Sequence, residues 1–136
     1  MFEDQPILIV EDNVYVALDL SCAVEERQGT VVGPAASVSE ALDLIDSIHV
    51  AAAVLDFHLP DGDVAPVAAK LAAKSVPFVI HTEAGLPASF AELHCDVPVL
   101  QKPIDPQSVL TVLHGRIQAG STAKAHPRLG DGPKQV

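Results

Sequence analysis

The sequence predicts an α/β domain built on a doubly wound, five-stranded parallel sheet. Short apolar runs alternate five times with segments whose apolar residues recur every three or four positions. The runs are continuous and not alternating, which is typical of strands buried on both faces. Strict alternation of strands and helices favours a parallel sheet with helices on both sides, joined by right-handed crossovers.

Five short runs are predicted as strands because they are apolar, rich in β-branched residues and bounded by polar residues, Gly or Pro. They cover residues 7–10, 30–33, 52–55, 77–81 and 97–100. In such a sheet, a binding site forms beyond the carboxyl ends of the strands. The residues that follow each run are therefore the first candidates for function.

The helices are predicted from the segments between these runs. In the first, Val16, Leu20 and Val24 share one face, Asp12 or Asn13 can cap the start, and Gly29 is expected to cap the end. Residues 83–96 contain Gly and Pro and few strongly apolar positions, so we expect the fourth helix to be short or disordered. We expect one domain over 5–119 and a flexible C-terminal tail over 120–136, where periodicity is lost.

Composition excludes several classes of protein. Of 136 residues, 49% are hydrophobic, which is too many for a disordered chain. The 18 acidic and 8 basic side chains give a net charge of −10, which argues against nucleic acid or an anionic membrane as partner. Two cysteines are too few for a disulfide scaffold. Since no apolar stretch is long enough to span a membrane and the start is acidic, we expect a cytoplasmic protein.

Five polar residues follow the ends of predicted strands: Glu11, Asp12, Asp56, Thr82 and Lys102. The carboxyl ends of parallel strands share one edge of the sheet, so these side chains can converge. Two carboxylates 4 Å apart repel by about 4 kcal/mol at an effective dielectric constant of 20, and a hard divalent cation relieves this repulsion. The cluster therefore predicts a magnesium-assisted phosphoryl site with an aspartate as nucleophile.

Each of these residues also has a purely structural interpretation. Asp12 could only cap the first helix, and Glu11 could be a solvated loop residue. Asp56 could belong to a turn, Thr82 could cap a helix, and Lys102 could be a surface lysine. The coincidence of all five at strand ends favours the functional interpretation over these alternatives.

The motifs around these residues resemble the receiver domain of the response-regulator family. The resemblance is carried by residues 7–13, 53–62, 81–82 and 101–103, and it covers about residues 6–119. It implies the flavodoxin-like receiver fold. It also implies that Asp56 accepts a phosphoryl group, and that Glu11 and Asp12 bind Mg²⁺ with Asp56 and the backbone carbonyl of His58.

The resemblance extends to the residues that follow the fourth and fifth strands. It implies that Thr82 and Lys102 each bind a phosphoryl oxygen, and that the bond preceding Pro103 is cis, as an X–Pro bond permits. Residues 77–85 further resemble, in part, the "FAT GUY" receivers of alphaproteobacteria, which share the Pro-Phe start and the Thr of this segment. His81 and Glu83 depart from that pattern.

Three residues are candidate modulators of the site. Val99 stands three residues before the lysine, where receivers typically carry Tyr or Phe, so the aromatic part of the usual switch is missing. Glu83 replaces the small residue that normally follows the threonine, so either phosphorylation is slowed or Glu83 points away from the site. His58, two residues after the acceptor, could shield the acyl phosphate, and it could equally be an exposed loop residue.

The resemblance implies a single-domain response regulator rather than an enzyme. A histidine kinase or phosphotransfer protein would phosphorylate it, and a downstream protein would read the face formed by the fourth helix, fifth strand and fifth helix. One alternative is a pseudo-receiver, an interaction module with little phosphorylation, which Val99 and Glu83 favour. A remote alternative is a phosphotransferase like the haloacid dehalogenases, but these need a general-acid Asp where this chain has His58.

Overall fold

A computed structural model of the chain describes the backbone of residues 1–125 and the side chains of residues 1–120. The five strands of the main sheet alternate with helices, as the sequence predicts, and two further short strands that it did not predict follow the third of them. In order they are β1 (Pro6–Val10), α1 (Val14–Glu26), β2 (Thr30–Ala35), α2 (Val38–Ser47), β3 (Ala52–Leu55), β4 (His58–Leu59), β5 (Gly62–Asp63), α3 (Ala65–Ala73), β6 (Phe78–Thr82), α4 (Ala88–Leu93), β7 (Val99–Gln101) and α5 (Pro106–Ala125).

The main sheet has five parallel strands in the order β2-β1-β3-β6-β7, which confirms the predicted fold class. The chain runs from β1 to β2 on one side and then returns to β3 on the other. The order therefore reverses between β1 and β3, and their carboxyl ends form the crevice where such sheets bind ligands. The strands β4 and β5 form a small antiparallel ribbon in the loop that follows β3.

Alternate residues of the central strands point to opposite faces and form two separate cores. On one face, Ile7 and Ile9 of β1 pack with residues of α1 and α5, including Leu20 and Leu113. On the other face, Leu8 and Val10 pack with residues of α2, α3 and α4. The sheet is thus covered on both sides, and this explains why its strands have continuous apolar runs.

The end of α1 agrees only in part with the prediction that Gly29 caps it. The backbone N–H of Gly29 donates to the carbonyl oxygen of Val24 at 2.9 Å and so closes the last turn. The left-handed residue of the cap is Gln28, however, with φ of 67°. A glycine is required at position 29 for packing, because a Cβ atom there would lie 2.7 Å from Cγ1 of Val24.

The fourth helix is short, as predicted, and has six residues. Pro87 stands at its N-cap and provides no side-chain hydrogen bond to the helix. The helix α4 packs against the rest of the domain through Phe90, whose ring lies edge-to-face on Phe57 with centroids 5.0 Å apart. Because Phe57 directly follows Asp56, this contact joins α4 to the candidate acceptor residue.

The last helix, α5, continues to Ala125, beyond the predicted domain limit at residue 119. Residues 126–136 of the predicted tail lie outside the described residues. Within the described chain, none of the helices combines the length and the apolar character needed to cross a bilayer.

Candidate functional site

Three carboxylates meet at the carboxyl ends of β1 and β3. Val10 pairs with Leu55 in the sheet, so Glu11 and Asp56 leave neighbouring strands at the same level. The backbone N–H of Asp56 donates to the carbonyl oxygen of Val10 at 2.8 Å, which fixes this register. One oxygen from each of Glu11, Asp12 and Asp56 lies within 4.8 Å of the other two.

The helix cap beside this cluster is Asn13, which leaves Asp12 available to the site. The Oδ1 atom of Asn13 accepts hydrogen bonds from the backbone N–H groups of Tyr15 and Val16, at 3.0 and 3.2 Å. The side chain of Asp12 is exposed. The capping interpretation of Asp12 is therefore not needed to explain the start of α1.

Lys102 enters the cluster from the end of β7. Its Nζ atom lies 2.7 Å from Oε1 of Glu11 and 3.4 Å from Oδ2 of Asp56. Its backbone N–H donates to the carbonyl oxygen of Thr82 at 2.8 Å, which ties it to the end of β6. The lysine side chain is only 11% exposed, so the ammonium group is committed to the carboxylates.

Burial and crowding control the protonation of this cluster. The pKa of Glu11 is raised to about 7, mainly by burial and also by the neighbouring Asp56, and the bonds from Lys102 and from the N–H of Asn13 only partly offset these effects. Burial alone would lower the pKa of Lys102, but its bonds and its attraction to Glu11 and Asp56 outweigh that effect and raise it. The site is therefore short of positive charge when Lys102 is its only cation.

The donor set fits a hard divalent cation. Three carboxylates within one coordination sphere offer only oxygen ligands, which Mg²⁺ and Ca²⁺ prefer, and Mg²⁺ commonly takes one or two carboxylates plus water and phosphate oxygens. The raised pKa of Glu11 indicates that this carboxylate lacks a sufficient counter-charge. Whether the carbonyl of His58 joins the set stays a prediction.

The affinity of this site for Mg²⁺ is expected to rise with pH between about 6 and 8. Below its pKa of about 7, Glu11 is protonated and the ion must displace that proton; above it, the carboxylate is free to bind. Affinity should therefore fall about tenfold for each pH unit below 7. Calorimetry in two buffers of different ionisation enthalpy measures the proton release, and Glu11→Gln should remove it. An affinity that is equal at both ends of this range would contradict the expectation.

Thr82 ends β6 beside the cluster and is 1% exposed. Its Oγ1 atom accepts a long hydrogen bond, 3.5 Å, from the backbone N–H of Ala84. The hydroxyl proton can therefore be donated to a group that enters the site. Strand β6 lies beside β3, because Leu55 pairs with Ile80, and this pairing brings Thr82 to the same edge as Asp56.

The three candidate modulators all lie at the surface. Glu83 is exposed and makes no ion pair with Lys102 in the described part of the chain, which favours the expectation that it points away from the site. Val99 is 48% exposed and leaves the end of β7 without an aromatic ring. The exposed ring of His58 packs edge-to-face on Phe57, with centroids 4.9 Å apart. The Lys102–Pro103 peptide bond is cis.

Sequence reasoning missed two polar residues near this edge. Asp61 was interpreted only as a loop residue, yet its carboxylate accepts the backbone N–H groups of Val38 and Ser39 and so holds the start of α2. His81 is 4% exposed, and neither ring nitrogen has a hydrogen-bond partner among the described residues. Its position inside an apolar strand signals burial, but the lack of a partner can be found only from the structure.

Comparison with known proteins agrees with this fold. No protein-family model and no curated protein matches the chain. Among solved structures, SdrG from Sphingomonas melonis is 32% identical, with 87% of this chain and 99% of that chain covered and a TM-score of 0.72. The non-phosphorylated receiver domain of HemR from Leptospira biflexa is 27% identical, with 83% and 94% covered and a TM-score of 0.71.

A third solved structure supports the fold alone. The CheY-like receiver domain protein from Methanospirillum hungatei is 22% identical, with 88% of this chain and 98% of that chain covered and a TM-score of 0.77. A TM-score of this size over most of both chains indicates that the two share one fold. The two more similar structures, together with the acidic edge between β1 and β3, show that the chain belongs to the receiver domains of response regulators.

Proposed function

We propose that the protein is a response regulator in which Asp56 accepts a phosphoryl group from a histidine kinase or a phosphotransfer protein. The observation that carries this proposal is the group of Glu11, Asp12 and Asp56 around a shared centre, with the ammonium of Lys102 against two of them. A structural ion pair would not require a third, exposed carboxylate within reach of the same centre.

The proposed transfer uses the side chains of this edge in separate roles. An oxygen of Asp56 attacks the phosphorus of a phosphohistidine, the P–N bond breaks, and the imidazole of the donor leaves and takes up a proton. Glu11, Asp12 and Asp56 would hold Mg²⁺, which neutralises charge on the transferred group. Thr82 donates its hydroxyl proton to one phosphoryl oxygen, and Lys102 donates an N–H to another.

Phosphorylation would act by changing the surface shown to another protein. A phosphoryl group adds up to about two negative charges to Asp56 and draws Thr82 and Lys102 towards it. Both residues lead into the face formed by α4, β7 and α5, which we propose as the surface for the downstream partner. The short α4, held by Phe90 against Phe57, is the element of this face that a small shift can rearrange.

Amide exchange in residues 83–96 is expected to slow when the site is loaded with beryllofluoride and Mg²⁺. The reason is that Thr82, which directly precedes this segment, gains a fixed partner, so the uncapped α4 loses alternative conformations. Hydrogen–deuterium exchange with mass spectrometry measures this, and α2, which lies away from Thr82, provides an internal control. Unchanged exchange in 83–96 would show that the segment does not respond to the site.

The proposed function is tested by phosphoryl incorporation. The protein is incubated with acetyl phosphate, and separately with a panel of autophosphorylated histidine kinases, with Mg²⁺ and with excess chelator. We expect one Mg²⁺-dependent phosphate per chain that hydroxylamine removes. If no donor gives phosphate incorporation, the protein is better explained as a pseudo-receiver. Continued release of phosphate from small phosphate esters would instead indicate an enzyme.

A further inference from the structure

Five aromatic rings form a continuous row beside Asp56. From the loop that follows Asp56 to the start of β6, they belong to His58, Phe57, Phe90, His94 and Phe78. The centroids of successive rings are 4.9, 5.0, 4.6 and 5.7 Å apart, which is the range of favourable aromatic pairs. The whole chain has four Phe, one Tyr and no Trp, so the presence of three Phe in one row is not explained by composition.

Phe57 is the member of this aromatic row that lies next to the proposed acceptor. It directly follows Asp56, and its side chain is 1% exposed. Its ring contacts the ring of His58 in the loop and the ring of Phe90 in α4. Its carbonyl oxygen accepts the backbone N–H of Val64 at 2.9 Å, which closes the loop on this residue. A change in the loop therefore reaches α4 through Phe57.

The packing of α4 depends on Phe90. Of the six residues of this helix only Phe90 is buried, and Pro87 at the N-cap makes no side-chain hydrogen bond. A helix of this length is not stable alone, so tertiary contacts must hold it. The contact with Phe57 is edge-to-face, with 81° between the ring planes, and an aromatic pair of this kind depends on the orientation of both rings.

Strand β7 cannot provide a similar contact to α4. Its three residues are Val99, Leu100 and Gln101, none of which has a ring, and Val99 is 48% exposed. A change at Thr82 can restrain the start of the segment 83–96, but β7 has no ring that could pass it on to α4. The aromatic row is thus the aromatic connection from the acidic edge to this helix among the described residues.

We propose that the contact between Phe57 and Phe90 couples the state of Asp56 to the packing of α4. This coupling rests on the proposed function, because it is the route by which a change at Asp56 reaches the helix. Mg²⁺ and a phosphoryl group hold the carboxylate of Asp56 and thereby order the adjoining Phe57. Phe90 then loses less conformational freedom when it packs on that ring, so loading of the site stabilises α4.

A coupling of this kind is reciprocal. If loading of the site strengthens the packing of α4, the packed helix must strengthen binding at the site by the same factor. One edge-to-face aromatic pair corresponds to about a fivefold change in an equilibrium constant. Phe90→Leu should therefore weaken the binding of beryllofluoride with Mg²⁺ about fivefold, although it replaces none of the three clustered carboxylates. Titration of the ¹⁵N-labelled full chain, followed by two-dimensional amide NMR, measures this affinity.

Hydrogen–deuterium exchange separates this route from the route through Thr82. In the unmodified chain, beryllofluoride and Mg²⁺ should slow exchange both in residues 83–87 and in α4. In Phe57→Leu, the slowing should persist in 83–87, which directly follow Thr82, and decrease about fivefold in α4. The double variant Phe57→Leu/Phe90→Leu should bind beryllofluoride no more weakly than either single variant, because both substitutions remove the same contact.

The matched control is Phe2→Leu. Phe2 is a fully buried phenylalanine of the other core, on the face of the sheet that packs with α1 and α5. The same substitution there should lower the thermal stability but leave the affinity of the site and the response of α4 unchanged. Circular dichroism tests whether each variant is folded. Phe90→Leu, on a short helix at the surface, decides the question by itself if Phe57→Leu does not fold.

Three results would overturn the coupling. They are an unchanged affinity in Phe90→Leu, an equal loss of affinity in Phe2→Leu, and a slowing of α4 in Phe57→Leu as large as in the unmodified chain. If the unmodified chain binds beryllofluoride but α4 does not respond, the coupling fails and the proposed function stands. If the unmodified chain binds no beryllofluoride, the proposed function fails and the coupling fails with it.

Discussion

Replacing Asp56 with Asn is expected to reduce phosphoryl incorporation at least about a hundredfold, to the detection limit. The amide has nearly the same shape as the carboxylate, but its oxygen is a far weaker nucleophile. The variant also removes one negative charge from the cluster with Glu11 and Asp12, so Mg²⁺ should bind more weakly. Intact-protein mass spectrometry after incubation with acetyl phosphate or a phosphorylated kinase measures the incorporation.

The matched control for this variant is Asp63→Asn. Asp63 is an exposed acidic residue of the same loop, and its carboxylate accepts a hydrogen bond from the backbone N–H of Ala65. The Asp63→Asn variant should take up as much phosphate as the unmodified chain. Circular dichroism should show that both variants are folded. If the Asp56→Asn variant incorporates as much phosphate as the Asp63→Asn variant, the acceptor must be another residue.

Replacing Lys102 with Met is expected to have two opposite effects. The ammonium lies within 3.4 Å of oxygens of Glu11 and Asp56, so it competes with a metal ion for the same charge. Without it, Mg²⁺ should bind about tenfold more tightly, one unit charge near the site being worth on the order of 1–2 kcal/mol. Phosphoryl transfer should nevertheless slow about tenfold or more, because one donor to the transferred group is lost.

The same variant should be less stable when no metal is present. Removing one partner of a buried ion pair leaves uncompensated charge and costs about 3–5 kcal/mol. Thermal unfolding with and without Mg²⁺ measures this, and the ion should restore much of the loss. Lys70→Met is the control, because the ion pair of Lys70 with Asp46 is more exposed than that of Lys102 and includes no residue of the cluster. Unchanged Mg²⁺ affinity in Lys102→Met would show that the ammonium does not share the site of the ion.

Much of the fold follows from local patterns that the sequence displays directly. Continuous apolar runs such as 52–55 indicate strands with two buried faces, and such strands lie at the centre of the sheet. Once the strands are parallel, the residues after them must share one edge. This rule brings together Glu11, Asp12, Asp56, Thr82 and Lys102 although the chain separates them widely.

The features that could not be predicted depend on contacts between distant segments. Gly29 has the sequence context of a helix cap, but its small size is required by Val24. Asp61 holds the start of α2, twenty-two or more residues earlier in the chain, and no local pattern indicates this bond. The unpartnered nitrogens of His81 depend on which groups of α1 and of the β7–α5 connection approach the ring.

The central proposition is that Asp56 is the residue that becomes phosphorylated at this metal-binding edge. Borohydride reduces an aspartyl phosphate to homoserine and leaves unmodified carboxylates intact, so peptide mass spectrometry after reduction identifies the acceptor directly. We predict homoserine at position 56, formed only when Mg²⁺ and a phosphoryl donor are both present. Homoserine at another acidic residue, or phosphate incorporation that leaves Asp56 unreduced, would contradict the account.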